Sequence, residues 1–171
     1  TRVKEMMIIA VMVSLAVVGR IIFTPLPGFK PVTAIVVITA MYFGGEAGFL
    51  TGALSAVISD FYFGQGPWTP FQMFVWGLIG FISGVIADPL KRSRILLGVY
   101  GIISGVLFSL LMDVWTVLWW DGSFTLTRYL AATVSAARFT VVYAVSNVIF
   151  LLLLQKPIGK KLERIKDKYG F

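Results

Sequence analysis

The sequence predicts an all-α integral membrane protein: a single domain over residues 1–171, built as a bundle of six transmembrane helices with both termini cytoplasmic. Three observations carry that expectation. Of the 171 residues, 58% are hydrophobic and only 13% charged, and mean hydropathy is +0.89, a composition foreign to soluble domains of this length. Six apolar runs approach the roughly 20 residues that a helix needs to cross a bilayer. Lys and Arg then fall almost wholly on one side of the alternation those runs impose, as cytoplasmic segments require.

The first run, 6–23, follows Arg2 and Lys4. Its charge-then-apolar order is that of a signal peptide, but no small-residue cleavage site is clear and five more runs follow, so it reads as a retained helix. The second, 32–44, is the weakest, because VTAIVVITAMYF reaches across a bilayer only by tilting or by recruiting its flanks. The third, 46–63, follows a tight GGEA turn, and GQGPWTP separates it from the fourth, 71–87. DPLKRSR precedes the fifth, 95–118. WWDGSFTLTR precedes the sixth, 129–154, which leads into the basic tail KPIGKKLERIKDKYGF. Six crossings put Arg2, Lys4, Lys91, Arg92, Arg94 and the six tail cations on one face, leaving only Lys30 and Arg128 in opposite loops. Five crossings would split the two basic ends. Pro25, Pro27 and Pro31 stiffen the first outer loop, each fixing φ and withholding an N–H. Positive-inside bias explains the tail, with anionic headgroups as the alternative partner.

Several functions are excluded by composition. The formal charge of +7 sits where a membrane surface, not nucleic acid, explains it. There is no cysteine, hence no disulfide or thiolate site, and no histidine for imidazole catalysis or metal ligation. No GxxxxGK[ST] phosphate loop occurs. The expectation is a protein with no catalytic residues, no metal site and no covalently bound cofactor, acting in the plasma membrane as a multi-pass component.

Four charged residues fall inside the runs: Arg20, Asp60, Asp113 and Arg138. Such charges cost several kcal/mol in lipid and should face protein or a water-filled cavity. Counted along six helices, all four reach the outer half of the bundle, either as two ion pairs that orient helices or as part of a site. Aromatics gather at that level too, among them Phe61, Tyr62, Phe63, Trp68, Trp76, Trp115, Trp119 and Trp120. An interfacial belt accounts for many of them, yet a belt would mark both interfaces and all five tryptophans lie toward one. With Gln65, Gln72 and Asn147 alongside, they suit an apolar pocket with a few orienting polar groups. Small residues four apart (Gly48 and Gly52, Gly80 and Gly84, Gly101 and Gly105) suit close helix packing. Ala10, Ser14 and Ala16 on the first helix make a small face that could serve a partner.

The segment FKPVTAIVVITAMYFGGEAGFLTGALSAVISDFYFGQGPWTPFQMFVWGLIGFISG, residues 29–84, resembles the S-components of energy-coupling factor (ECF) vitamin transporters, and most closely those associated with cobalamin uptake. The resemblance extends over nearly the whole chain. It implies a subunit that binds its vitamin near the outer surface, docks on a membrane coupling protein driven by two ATPases, and topples in the bilayer to deliver it. The family's Ala-x-x-x-Ala docking motif has its nearest match at Ala10 and Ser14, with serine as the departure. The implied substrate contacts are Arg20, Phe29, Lys30, Asp60, Tyr62, Gln65, Trp68, Gln72, Trp76, Asp113, Trp119, Arg138 and Asn147. Residues 60–72 would form one rim of the site, with the 24–31 and 119–128 loops closing over it. Composition leaves cobalamin, riboflavin and pantothenate open; the resemblance leans to cobalamin. A membrane assembly subunit and an ion-coupled carrier using Asp60 or Asp113 are the rival functions.

Overall fold

The computed structural model describes residues 2–170, with only the backbone described for Arg2. It is all-helical: α1 (Arg2–Ile22), α2 (Val32–Phe43), α3 (Gly45–Phe63), α4 (Trp68–Val85), α5 (Ala87–Arg92), α6 (Arg94–Asp121), α7 (Leu126–Ser135) and α8 (Ala137–Tyr169). Four of these, α1, α4, α6 and α8, are long and apolar enough to cross a membrane by themselves. The other two expected crossings fall short in different ways. α3 is diluted by Gly, Ala, Thr and Ser, and α2 has only 12 residues, about 18 Å of helix.

α2 is the core of the bundle. Its residues from Val32 to Tyr42 are all buried, which is why its sequence is hydrophobic on every side instead of amphipathic. α1, α3, α4, α6 and α8 surround it. α3 and α4 make the tightest pair, because a Cβ on Gly48 or Gly52 would strike the α4 backbone at Gly80 or Trp76, and one on Gly84 would strike the backbone at Gly44 and Gly45. Gly101 and Gly105 of α6 meet α8 the same way at Val148 and Ala144. The small residues four apart therefore pack helices within this bundle, as their spacing predicts.

Ends are set locally. Ser93 caps α6, its hydroxyl accepting from the Leu96 N–H at 3.1 Å. Pro67 precedes α4 and Pro70 sits in its first turn, where a missing N–H costs no helical bond. α3 stops at Gly64, whose φ of 113° suits glycine.

The sixth predicted helix, 129–154, differs from the structure. Helix begins earlier, at Leu126, breaks at Ala136 (φ −90°, ψ 0°), and resumes without interruption to Tyr169. α7 has no fully buried residue and leans on α6, the Tyr129 hydroxyl donating to the Leu110 carbonyl at 2.9 Å. The tail extends α8 through Pro157, and Arg94 donates to the nearby Leu152 carbonyl. This extension is pinned to the end of α2: Gln155 Nε2 donates to the Tyr42 hydroxyl at 2.8 Å, Lys166 Nζ to the Tyr42 carbonyl at 2.8 Å, and Gly159 lies flush on the Tyr42 ring. Lys156, Lys160, Lys161, Arg164 and Lys168 stay exposed.

Candidate substrate site

At the end of the bundle carrying the α1–α2 and α3–α4 connections, one buried carboxylate organises the polar groups. Asp60, in the last turn of α3, is 1% exposed. Its Oδ1 accepts from Arg20 Nη1 of α1 at 2.9 Å, and its Oδ2 from the Thr69 hydroxyl of α4 at 2.9 Å. Gln72, with its amide nitrogen turned inward, donates to Oδ2 at 2.8 Å and to Oδ1 at 3.2 Å. The same Arg20 nitrogen donates to Ser59 Oγ at 2.6 Å. Three helices are thus tied by one ion, with the carboxylate neutralised and its lone pairs engaged, as burial demands.

An aromatic cage adjoins this network. Trp76 is fully buried and its indole N–H donates to Thr33 Oγ1 at 3.2 Å. Its ring stacks on Phe108 at 5.1 Å and 21°, and Phe108 meets Tyr143 edge-on at 5.5 Å. The Arg20 guanidinium lies over Phe63 at 4.5 Å and over Trp76 at 5.3 Å. Lys30 Nζ sits 5.4 Å from the Trp76 ring, 5.8 Å from Phe108 and 5.4 Å from Tyr143. The Lys30 backbone is clasped to α8, its N–H donating to Ser146 Oγ and its carbonyl accepting from that hydroxyl, both at 3.0 Å. Gly28, at φ 82°, lies against Tyr143 where a Cβ would not fit. Burial, with Arg20 nearby, lowers the Lys30 pKa to about 7, partly offset by Asp60. By surface area Lys30 is only half-buried.

Two small spaces flank this connection. One, of about 10 Å³, is lined by Gly28, Lys30, Thr33, Trp76, Phe108, Tyr143 and neighbours including Asn147; the other, of about 120 Å³, lies between Arg20, Phe63 and the 23–30 segment. Gly28 and Lys30 form the wall between them, so lifting that segment would merge the two. A roomier groove of about 490 Å³ between α6 and α8 is lined only by side chains such as Ile102, Val106 and Val148, apart from Thr140, and has no charged group.

Of the expected contacts, Arg20, Lys30, Asp60, Gln72, Trp76 and Asn147 converge here, with Phe29 at the rim against Phe23 and Phe150. Asn147 is buried, donating to Ser104 Oγ at 3.1 Å. The others do not converge. Tyr62 and Trp119 are largely exposed. Gln65 turns back to the Val57 carbonyl at 2.8 Å. Trp68 packs edge-on against Trp115, which stacks on Trp119, an outward-facing belt. Of the two ion pairs that are one alternative for the four intramembrane charges, a second does not form: Arg138 is exposed with its guanidinium over Phe139, and buried Asp113 Oδ2 has no hydrogen-bond partner among the described residues. The break at Ala136 resets the helical phase and puts Arg138 in the first turn of α8. Sequence reasoning missed Thr33, Thr69, Phe108, Tyr143 and Ser146. The last two left a signal, since Tyr143, Ser146 and Asn147 share one face of an otherwise apolar helix.

On α1, Ala10 and Ser14 are exposed and line a groove of about 390 Å³ with Val13, Val17, Val18, Leu54 and Ile58. Ala16, expected beside them, points into the core and is 0% exposed.

A family model described as ECF-type riboflavin transporter, S component, matches residues 1–164. The chain belongs to this family. It is therefore a membrane-embedded, non-catalytic substrate-binding subunit of a vitamin transporter, and S-component membership implies association with ECF coupling and ATPase subunits. The match is riboflavin-type, so the lean toward cobalamin finds no support in it. No curated protein and no solved structure matches the chain.

Proposed function

We propose that this S-component binds riboflavin, or a vitamin with a comparably flat ring, in the Trp76–Phe108–Tyr143 cage at the extracellular end of a six-crossing bundle with cytoplasmic termini. The observation that carries this reading is the buried, stacked Trp76–Phe108 pair edged by Tyr143, in a chain of a riboflavin-type family. Flat rings favour offset stacking on such faces, and Thr33, Asn147 and Lys30 supply a few polar groups around an apolar floor. A corrinoid is several times larger and would need the α1–α2 connection and much of the cage displaced. Pantothenate, an anion, would favour an unpaired arginine, whereas Arg20 is bonded to Asp60 and Arg138 lies away from the cage.

The 23–29 part of the α1–α2 connection is the element that moves to admit the vitamin, hinging at the backbone clasp of Lys30 to Ser146, since Gly28 and the Lys30 side chain wall off the two small spaces. Delivery follows by docking on the coupling subunit through the Ala10–Ser14 groove, where small side chains permit close approach, and by toppling driven by the two ATPases. The exposed cations of α5, the start of α6 and the end of α8 support the cytoplasmic placement of both termini.

Calorimetry on the purified protein in detergent with riboflavin, cobalamin and pantothenate tests this reading. Riboflavin is expected to bind stoichiometrically at micromolar concentration or below. Preferential cobalamin or pantothenate binding would reject the flat-ring reading, and no binding by well-folded protein would favour the assembly subunit.

A further inference from the structure

Lys30 presents an unusual arrangement: an amino group, an ammonium on the acid side of about pH 7, inside a box of three aromatic rings at 5.4, 5.8 and 5.4 Å from their centroids. Such boxes are a common means of holding cations, yet this cation belongs to the protein itself. We propose that Lys30 is the affinity-setting residue of the substrate site, its side chain holding the place in the Trp76–Phe108–Tyr143 cage that the vitamin ring takes, so that ring and ammonium compete for the same three faces. The proposal rests on the flat-ring reading above and adds to it the group that the ring must displace.

Three observations support the exchange. The space left around Lys30 in the cage is only about 10 Å³, far below a vitamin ring, so ring and lysine cannot share it. The ammonium forms no ion pair among the described residues: Arg20 takes Oδ1 of Asp60, while Thr69 and Gln72 take Oδ2. An ammonium has three donors to satisfy, and ring faces hold it less firmly than a carboxylate would, so it can leave. Finally, the clasp to Ser146 runs through the Lys30 backbone. The side chain can swing out while the Lys30 backbone stays on α8 as the hinge of the moving 23–29 segment, placing the amine beside a polar edge of the incoming ring. An uncharged ring exchanges with the ammonium most easily, because a cationic one would enter beside Arg20 and the displaced Lys30.

The test has two arms on the full chain in detergent. In the first, protein labelled with ¹³C-lysine is examined by NMR without vitamin, with the Lys30 signal assigned by its loss in Lys30→Arg. Ring currents should shift its ε-methylene protons upfield, and saturating riboflavin should return them to ordinary lysine positions. An unshifted signal, or one still shifted when riboflavin is bound, would overturn the proposal while leaving the flat-ring reading intact. In the second arm, riboflavin affinity is compared across variants. Lys30→Ala, which leaves the cage empty, should bind about three- to tenfold tighter, the worth of releasing a partly exposed cation–π contact, and Lys30→Arg should bind more weakly than Lys30→Ala because a guanidinium also holds to the cage. Unchanged or weaker binding by Lys30→Ala would overturn competition and make Lys30 a bystander or a direct contact. Failure of the unaltered protein to bind riboflavin would instead reject the flat-ring reading, and the competition with it.

Discussion

Arg20→Met is expected to destabilise the protein by about 3 kcal/mol, the lower end of the cost of stranding one partner of a buried ion pair. Asp60 is 1% exposed and would keep its Thr69 and Gln72 donors but lose the cation that neutralises it. Removing the charge from both sides should relieve most of that cost, so Arg20→Met combined with Asp60→Asn should melt well above Arg20→Met alone. Thermal unfolding in detergent of the single and double variants checks this as a double-mutant cycle. Equal melting of Arg20→Met and the unaltered protein would mean that the pair does not bear on folding.

Gly80→Leu is expected to be more damaging still. Overpacking a core costs about 1–3 kcal/mol when neighbouring side chains can adjust. Here the first atoms that a Cβ meets are the Gly48 carbonyl and its carbon, which are backbone, followed by Val36 Cγ1 at 2.8 Å. α3 and α4 would have to separate along their closest approach, exposing the buried faces of Thr51, Ser55 and Trp76. Gly98→Leu on α6 is the control, since nothing lies within 4 Å of its Cβ position. The yield of monodisperse protein should collapse for Gly80→Leu and hold for Gly98→Leu; comparable yields would show that the α3–α4 seam has slack.

Much of the fold was legible because membrane sequences state their pattern plainly. Apolar length gave α1, α4 and α6, and Gly44 and Gly64 marked where α2 and α3 end. The break at Ala136 was not legible, since neither proline nor glycine lies there and α7 leans on α6 through a contact the sequence does not mark, the Tyr129 hydroxyl on the Leu110 carbonyl. The helical continuation through Pro157 was hidden for the opposite reason: a proline and many charges read as a tail, whereas Tyr42, Gln155, Gly159 and Lys166 dock it on α2. Within the site, Arg20 and Asp60 met as their depth suggested, whereas Asp113, on the equally continuous α6, did not join them. Arg138 was misplaced by the unseen break. Exposed aromatics such as Trp68 and Trp119 could not be told from Trp76 by composition, because a belt and a cage use the same residue types. What separates them is the neighbour: Trp76 faces Thr33 and Phe108, residues from α2 and α6 that only the tertiary packing brings together.

Riboflavin's own fluorescence shows whether the vitamin stacks on Trp76 in the cage, since a flavin stacked on an indole is quenched. Titration into the unaltered protein should quench the flavin to a stoichiometric end point, Trp119→Ala should leave that end point unchanged, and Trp76→Phe combined with Tyr143→Phe should bind flavin with most of the quenching gone, since Tyr143 in the same cage also quenches a flavin. Full quenching that persists in the double variant and disappears in Trp119→Ala would place the flavin on the outer aromatic belt instead of in the cage.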